Sequence, residues 1–218
     1  MVKRGMRFLA TVLIGLSLAG CANYFNIKVN GYTDPNVPGQ ITPGDSFCVM
    51  ENQEAKNPLL EAEVKGKITK LLETRGYPVT TFDKADYFLF FGYGLGEPRS
   101  VSAAAPDYYG GVGWGVGYGW GGPSVVIGVP YGTYPADTAS LYDRWLMINV
   151  VEAPAYRARK DTRPVWTGEA RSVGTSSDLR TVLNYLLVAD FKEFGKNTGK
   201  AITREIQEQD PEIYSLTH

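Results

Sequence analysis

Two stretches of the chain are apolar on both faces of an extended backbone, and they constrain the fold more than any other feature. Ala85-Asp86-Tyr87-Phe88-Leu89-Phe90-Phe91-Gly92-Tyr93 is dense in aromatics. Leu141 to Val151 repeats the pattern, with Leu146, Ile148 and Val150 on one face, Trp145, Met147 and Val151 on the other, and Asn149 as its one polar residue. Strands of this kind sit centrally in a sheet with something covering each side. The rest of the chain must supply neighbours and covers.

The covers are two amphipathic helices. Asn57-Pro58 combines an N-cap residue with proline at the first helical position, where the missing N–H costs nothing. Leu60, Val64, Ile68, Leu71 and Leu72 then recur at helical spacing, Glu63, Lys65, Lys67 and Lys70 lie off that stripe, and Gly76 supplies the stop. Ser176-Ser177-Asp178 caps a second helix whose stripe is Leu179, Val182, Leu183, Leu186, Leu187, Phe191 and Phe194, ended by Gly195. Asp190 projects near the middle of this stripe, so Arg144 or Arg171 is the expected partner, with water at the helix rim as the alternative.

Further strands flank the central ones. Phe25, Ile27 and Val29 alternate with Asn26, Lys28 and Asn30, the period of a half-buried strand. Gly31 to Asp45 is rich in turn residues, and a short strand is expected at Ser46 to Glu51. A turn through Ala153-Pro154 and the basic residues Arg157, Arg159, Lys160 and Arg163 leads to a strand at Pro164 to Val173, which closes a β-hairpin; its tip is expected to be solvated, with contact to anionic headgroups as the alternative. The expected fold is α+β: a two-layer sandwich with a mixed or antiparallel sheet of about five strands and two long amphipathic helices on one face. It spans residues 21–195, and residues 196–218 are expected as a loosely held polar tail with a helical turn around Ala201 to Ile206.

The N-terminus has the features of a leader. Lys3, Arg4 and Arg7 precede the apolar run Phe8 to Leu18, which is too short for a membrane helix of about 20 residues. Leu18-Ala19-Gly20-Cys21 follows and resembles a lipobox, so residues 1–20 are expected to be a cleaved lipoprotein signal peptide and Cys21 the lipidated residue. A thioether-linked diacylglycerol and an N-terminal acyl chain give stable anchoring where one chain gives only marginal binding. Ala22 stands where an inner-membrane retention signal would carry Asp; by resemblance to lipoproteins of diderm bacteria, this implies an outer-membrane, periplasm-facing location. Removing the leader takes away three of 22 basic residues and none of 23 acidic ones, leaving a net charge of −4. That balance speaks against a nucleic-acid partner. Cys48 is the one remaining thiol; it lies in the apolar run Phe47-Cys48-Val49-Met50 and is expected as a buried small hydrophobe.

Several of these segments resemble a family of bacterial lipoproteins known as domain of unknown function 4136. The resemblance is carried by the Gly76-Tyr77 helix exit, Lys84-Ala85-Asp86-Tyr87 leading into the aromatic strand, Met147-Ile148-Asn149-Val150-Val151-Glu152, and Pro164-Val165-Trp166-Thr167-Gly168-Glu169-Ala170 before a terminal helix. It covers roughly Phe25 to Gly195. Glu152 stands where the family usually carries Asp, and the loop between the third and fourth strands is long. The resemblance implies a small α+β domain at the periplasmic side of a membrane and names no reaction.

That long loop is a glycine–aromatic insert at residues 97–138, well beyond the usual connection of about 4–6 residues. From Gly111 to Gly121 its period is two: glycines make one bare face while Val112, Trp114, Val116, Tyr118 and Trp120 line the other. Trp114, Tyr118 and Trp120 are the candidate partner-binding residues, by docking on an envelope protein, stacking on glycan or resting on the lipid surface. A hairpin with Ser124 to Tyr131 would be long enough to join an oligomeric membrane barrel, although a pore-lining face should be polar. A flexible insert with no fixed contacts is the plain alternative.

No catalytic constellation accompanies these features. The single histidine is the last residue, His218, which leaves no nucleophile–histidine arrangement. Metal spacings and a phosphate-cradling loop are absent from the sequence, and Gly92, Gly94 and Gly96 are too weak a signal for a nucleotide site. Asp143, Glu152 and Glu169 are the carboxylates from which a glycosidase pair would be drawn. The expected protein has no catalytic residues, no metal and no cofactor. It is a non-enzymatic, lipid-anchored envelope lipoprotein with a structural, assembly or binding role. The alternative is a glycan-binding or glycan-cleaving module acting on peptidoglycan or polysaccharide.

Overall fold

The computed structural model describes residues 24–35, 41–101 and 139–218. Along them follow β1 Tyr24–Thr33, β2 Phe47–Met50, α1 Pro58–Thr74, β3 Tyr87–Leu95, β4 Arg99–Val101, β5 Ala139–Glu152, α2 Ala153–Arg159, β6 Pro164–Gly174, α3 Leu179–Phe191, β7 Ile202–Gln207 and α4 Pro211–Thr217. The strands form an open mixed sheet in the order β2-β3-β5-β6-β1-β7, and β4 pairs with β5 alone. β2 runs parallel to β3 and every other pair is antiparallel. The domain is therefore α+β, with seven strands among the described residues rather than about five.

Local chemistry explains the long helices. The Asn57 side chain accepts the Leu60 N–H at 3.1 Å and Pro58 opens α1. Asp178 Oδ1 accepts the Thr181 N–H, also at 3.1 Å, at the start of α3. Gly76 and Gly195, at φ +82° and +74°, turn the chain away beyond the two helices, in a left-handed conformation that other residues adopt at a cost.

One face of the sheet carries the main core. Ile27 and Val29 of β1, Leu89 of β3, Leu146, Ile148 and Val150 of β5, and Trp166 and Ala170 of β6 pack with Val64, Ile68, Leu71 and Leu72 of α1 and Val182, Leu183, Leu186 and Leu187 of α3. The alternation that buries Leu89 there turns Phe88 and Phe90 to the reverse face. There α2 covers one corner: Tyr156 meets Phe88 edge-on at 5.2 Å, and Arg157 donates to the carbonyls of Phe82 and Ala85 at 2.7 and 3.2 Å. The segment expected as a turn and solvated tip thus begins with a short helix, and Arg157 is engaged in bolting it to the loop before β3.

The C-terminal segment departs most from expectation. Residues 202–207 are a strand, not a helical turn, and pair with β1 from Tyr24↔Gln207 to Val29↔Ile202. Ile206 is fully buried, and Ile213 and Leu216 of α4 join the main core. The segment 196–218 is bound into the domain, because β1 offers an open edge and Ile202, Arg204 and Ile206 alternate with exposed residues to match it.

Candidate functional site

Leu18, Ala19, Gly20 and Cys21 of the lipobox, and Trp114, Tyr118 and Trp120 of the insert, lie outside the described residues. The structure describes the frame that carries them. β1 begins at Tyr24, three residues beyond Cys21, while β4 ends at Val101 and β5 starts at Ala139, on either side of residues 102–138. The first part of the expected insert is itself a strand, β4, paired in the register Val101↔Ala139.

The ladder shows how these points relate. Lys28 lies opposite Arg171, so the Tyr24 end of β1 runs level with the Gly174 end of β6. Gly174 is paired through Tyr142 with the start of β5, and Leu95 at the end of β3 faces Arg144. The start of the domain, both stems of the insert and the N-terminus of α3 therefore share one end of the sheet. The short helix α2 and Arg159 stand at the opposite end.

At the shared end the reverse face carries an aromatic side chain that is partly exposed. The Trp145 indole lies across the bare backbone of β3: a Cβ added at Gly92 would be 3.7 Å from it, and one at Gly94 only 2.6 Å. Trp145 is 37% exposed, so the glycines seat one side of the ring while another part meets water. Beside it Arg99 of β4 is ion-paired with Asp143 of β5. Sequence reasoning did not single out Trp145. The signal was present in Gly92, Gly94 and Gly96 alternating with Tyr93 and Leu95, a bare strip on which a cross-strand aromatic can lie.

The carboxylates from which a glycosidase pair would be drawn are spread along the ladder. Asp143 and Glu169 share the reverse face, but the register sets them four positions apart along the ladder, about 13 Å, and Glu152 alternates to the other face. Cys48 is half-buried, its thiol pushed up by burial against the lowering influence of Lys65, with Met50 Sδ at 3.8 Å. Asp161 is held down at about 2 by its hydrogen bonds and charge pairing with Arg163. Among the described residues no group of three or more His, Cys, Asp or Glu could hold a metal ion.

Asp190 has neither of the partners the sequence offered. It is completely buried, and neither carboxyl oxygen has a hydrogen-bond partner among the described residues. The ladder explains why. Asp190 stands over Gly168, whose missing Cβ would lie 2.5 Å from Oδ2, whereas Arg144 is level with Ser172, four positions along β6. Arg171 alternates to the reverse face. Burial, then the charges of Glu169 and Glu193, push the Asp190 carboxyl well above its ordinary range, which favours its protonated form.

Residues 32–194 match the family described as a domain of unknown function (DUF4136), and the chain belongs to that family. No curated protein matches it. Among solved structures, a dodecamer of a PelC variant from Paraburkholderia phytofirmans is similar at 13% identity and a TM-score of 0.41, covering 78% of this chain and 98% of that one. A second PelC dodecamer from the same organism has 11% identity and a TM-score of 0.39, covering 79% and 99%. A PDZ domain protein from Parabacteroides distasonis has 14% identity and a TM-score of 0.50; the similarity covers 91% of this chain and 42% of the other. The last likeness concerns the fold alone.

Proposed function

We propose that this protein is a non-enzymatic lipoprotein, anchored through Cys21 to the periplasmic face of the outer membrane, which serves envelope structure or assembly by binding another envelope component through its glycine–aromatic insert. The observation that supports this most is the shared end of the sheet. A strand that begins three residues beyond Cys21 and the two stems of the insert that carries Trp114, Tyr118 and Trp120 emerge together, so an acylated Cys21 sets both stems on the membrane-proximal side. Trp and Tyr suit such a boundary, having an apolar body and a polar handle.

Two measurements test this. Cys21→Ser is expected to abolish labelling by a radiolabelled or alkyne-bearing fatty acid and to leave an uncleaved precursor; persistent labelling or normal processing would refute the anchor. Trp145 over its glycine strip favours a second reading, a module that stacks on peptidoglycan or polysaccharide. Saccharide-dependent quenching of tryptophan fluorescence, lost in Trp145→Ala, is the outcome that reading requires, and a flat titration removes it.

A further inference from the structure

Arg144 is an arginine that folding has buried without giving it a counter-ion among the described residues. It lies on the helix-bearing face of β5 and is 4% exposed. Its one hydrogen bond among the described residues is long, from Nη1 to the Ser176 carbonyl at 3.4 Å, and its buried Nε has no partner. Directly opposite in the ladder stands Ser172, 6% exposed, with an unpartnered hydroxyl. The next position on that face is Gly174, and the guanidinium fills the space of its absent Cβ, with Cζ 3.1 Å from where that atom would be.

Among the described residues, three carboxylates of neighbouring elements are engaged elsewhere. Asp143 alternates to the reverse face and pairs with Arg99, Asp178 caps α3, and Glu63 holds Lys67 and Arg180. A desolvated guanidinium without a partner is costly, and its planar fork of donors matches a carboxylate through two parallel hydrogen bonds. Its neighbours at the end of the sheet are the exposed loop Thr175 to Asp178 and Leu95, which faces Arg144 across the ladder and is 37% exposed. One cation, with the Asp178 carboxylate on the same loop, suits a singly charged ligand. A phosphate dianion would leave a negative charge unbalanced.

We propose that Arg144, seated against the bare backbone of Gly174, and Ser172 form a receptor for the carboxylate of a small organic monoacid. It is independent of the lipid anchor and of the insert. The test is thermal unfolding of the full-length chain in detergent, with sodium acetate titrated against sodium chloride and sodium phosphate at matched ionic strength. Acetate is expected to raise Tm saturably, by about 2–4 °C once it stands about fivefold above its dissociation constant. Ser172→Ala should weaken the response, and Arg144→Met should abolish it without lowering Tm in chloride. Superimposed acetate and chloride curves, a larger saturable shift in phosphate, or an undiminished acetate response in Arg144→Met would each overturn the proposal. Ser172→Ala and the wild-type titration keep the test decisive if Arg144→Met does not fold.

Discussion

Asp190→Asn should make the protein more stable at neutral pH than it is now. Asp190 is fully buried with no hydrogen-bond partner among the described residues, and the charges that act on it, from Glu169 and Glu193, share its sign. Its folded pKa therefore lies above that of the unfolded chain, about 3.9. Between those two values the native state keeps a proton that the unfolded state has released. Stability on this group's account is greatest below the unfolded pKa and falls as pH rises, by up to about 1.4 kcal/mol per unit, until the folded pKa is passed. Asparagine is nearly isosteric, fits over Gly168 and does not titrate. Urea unfolding of both proteins at half-unit steps from pH 4 to 7.5 isolates the effect, because other titrating groups cancel in the difference. The two should agree near pH 4 and diverge above it, with the Asp190→Asn variant the more stable; two units of divergence amount to about 2.7 kcal/mol, a midpoint shift of about 1–3 M. Parallel curves, or a wild-type advantage that grows with pH, would show that Asp190 is ionised and paired in solution and would refute the reasoning.

Gly168→Ala puts a methyl within 2.5 and 2.6 Å of the two Asp190 oxygens, beside the buried Trp166, and should cost about 1–3 kcal/mol in the same urea assay. Ile206→Ala empties a fully buried position on an edge strand and should cost about 2–5 kcal/mol, whereas a loosely held tail would show almost no loss. Gly94→Ala collides with the Trp145 ring at 2.6 Å, but that ring is 37% exposed and can swing outward; a red-shifted emission difference with a smaller stability loss than Gly168→Ala is expected.

Much of the scaffold was legible because its signals are local. The stripe from Val64 to Leu72 and the stripe from Val182 to Leu187 each have helical period, and Asn57 and Asp178 announce their starts by short-range hydrogen bonds. The doubly apolar runs around Phe88 and Ile148 were recognisable as inner strands from composition alone. β7 was not, because it has only Ile202 and Ile206 on its buried face, separated by Arg204, and becomes a strand through pairing with β1 at the other end of the chain. α2 was hidden by Ala153-Pro154, which serves a turn and a first helical turn equally. Asp190 was placed on the apolar stripe correctly, but its partner was misjudged because a helical projection gives direction and not level along the sheet. The candidate contact residues fall in residues 102–138, where the sequence shows a period of two and nothing long-range to decide what lies against it. Trp145 could have been found from the glycine strip opposite it.

The central claim is that the insert meets another envelope component at the anchored end of the domain. It is tested most directly by in-cell photo-crosslinking from Trp114 and Trp120, each replaced in turn by a photoreactive residue. Arg159, at the opposite end of the sheet and 69% exposed in its side chain, serves as the control position. The account expects a discrete protein adduct from 114 and 120 and none from 159, with the adduct lost in Cys21→Ser. Adducts from 159 alone, or none from 114 and 120 beyond lipid, would contradict it.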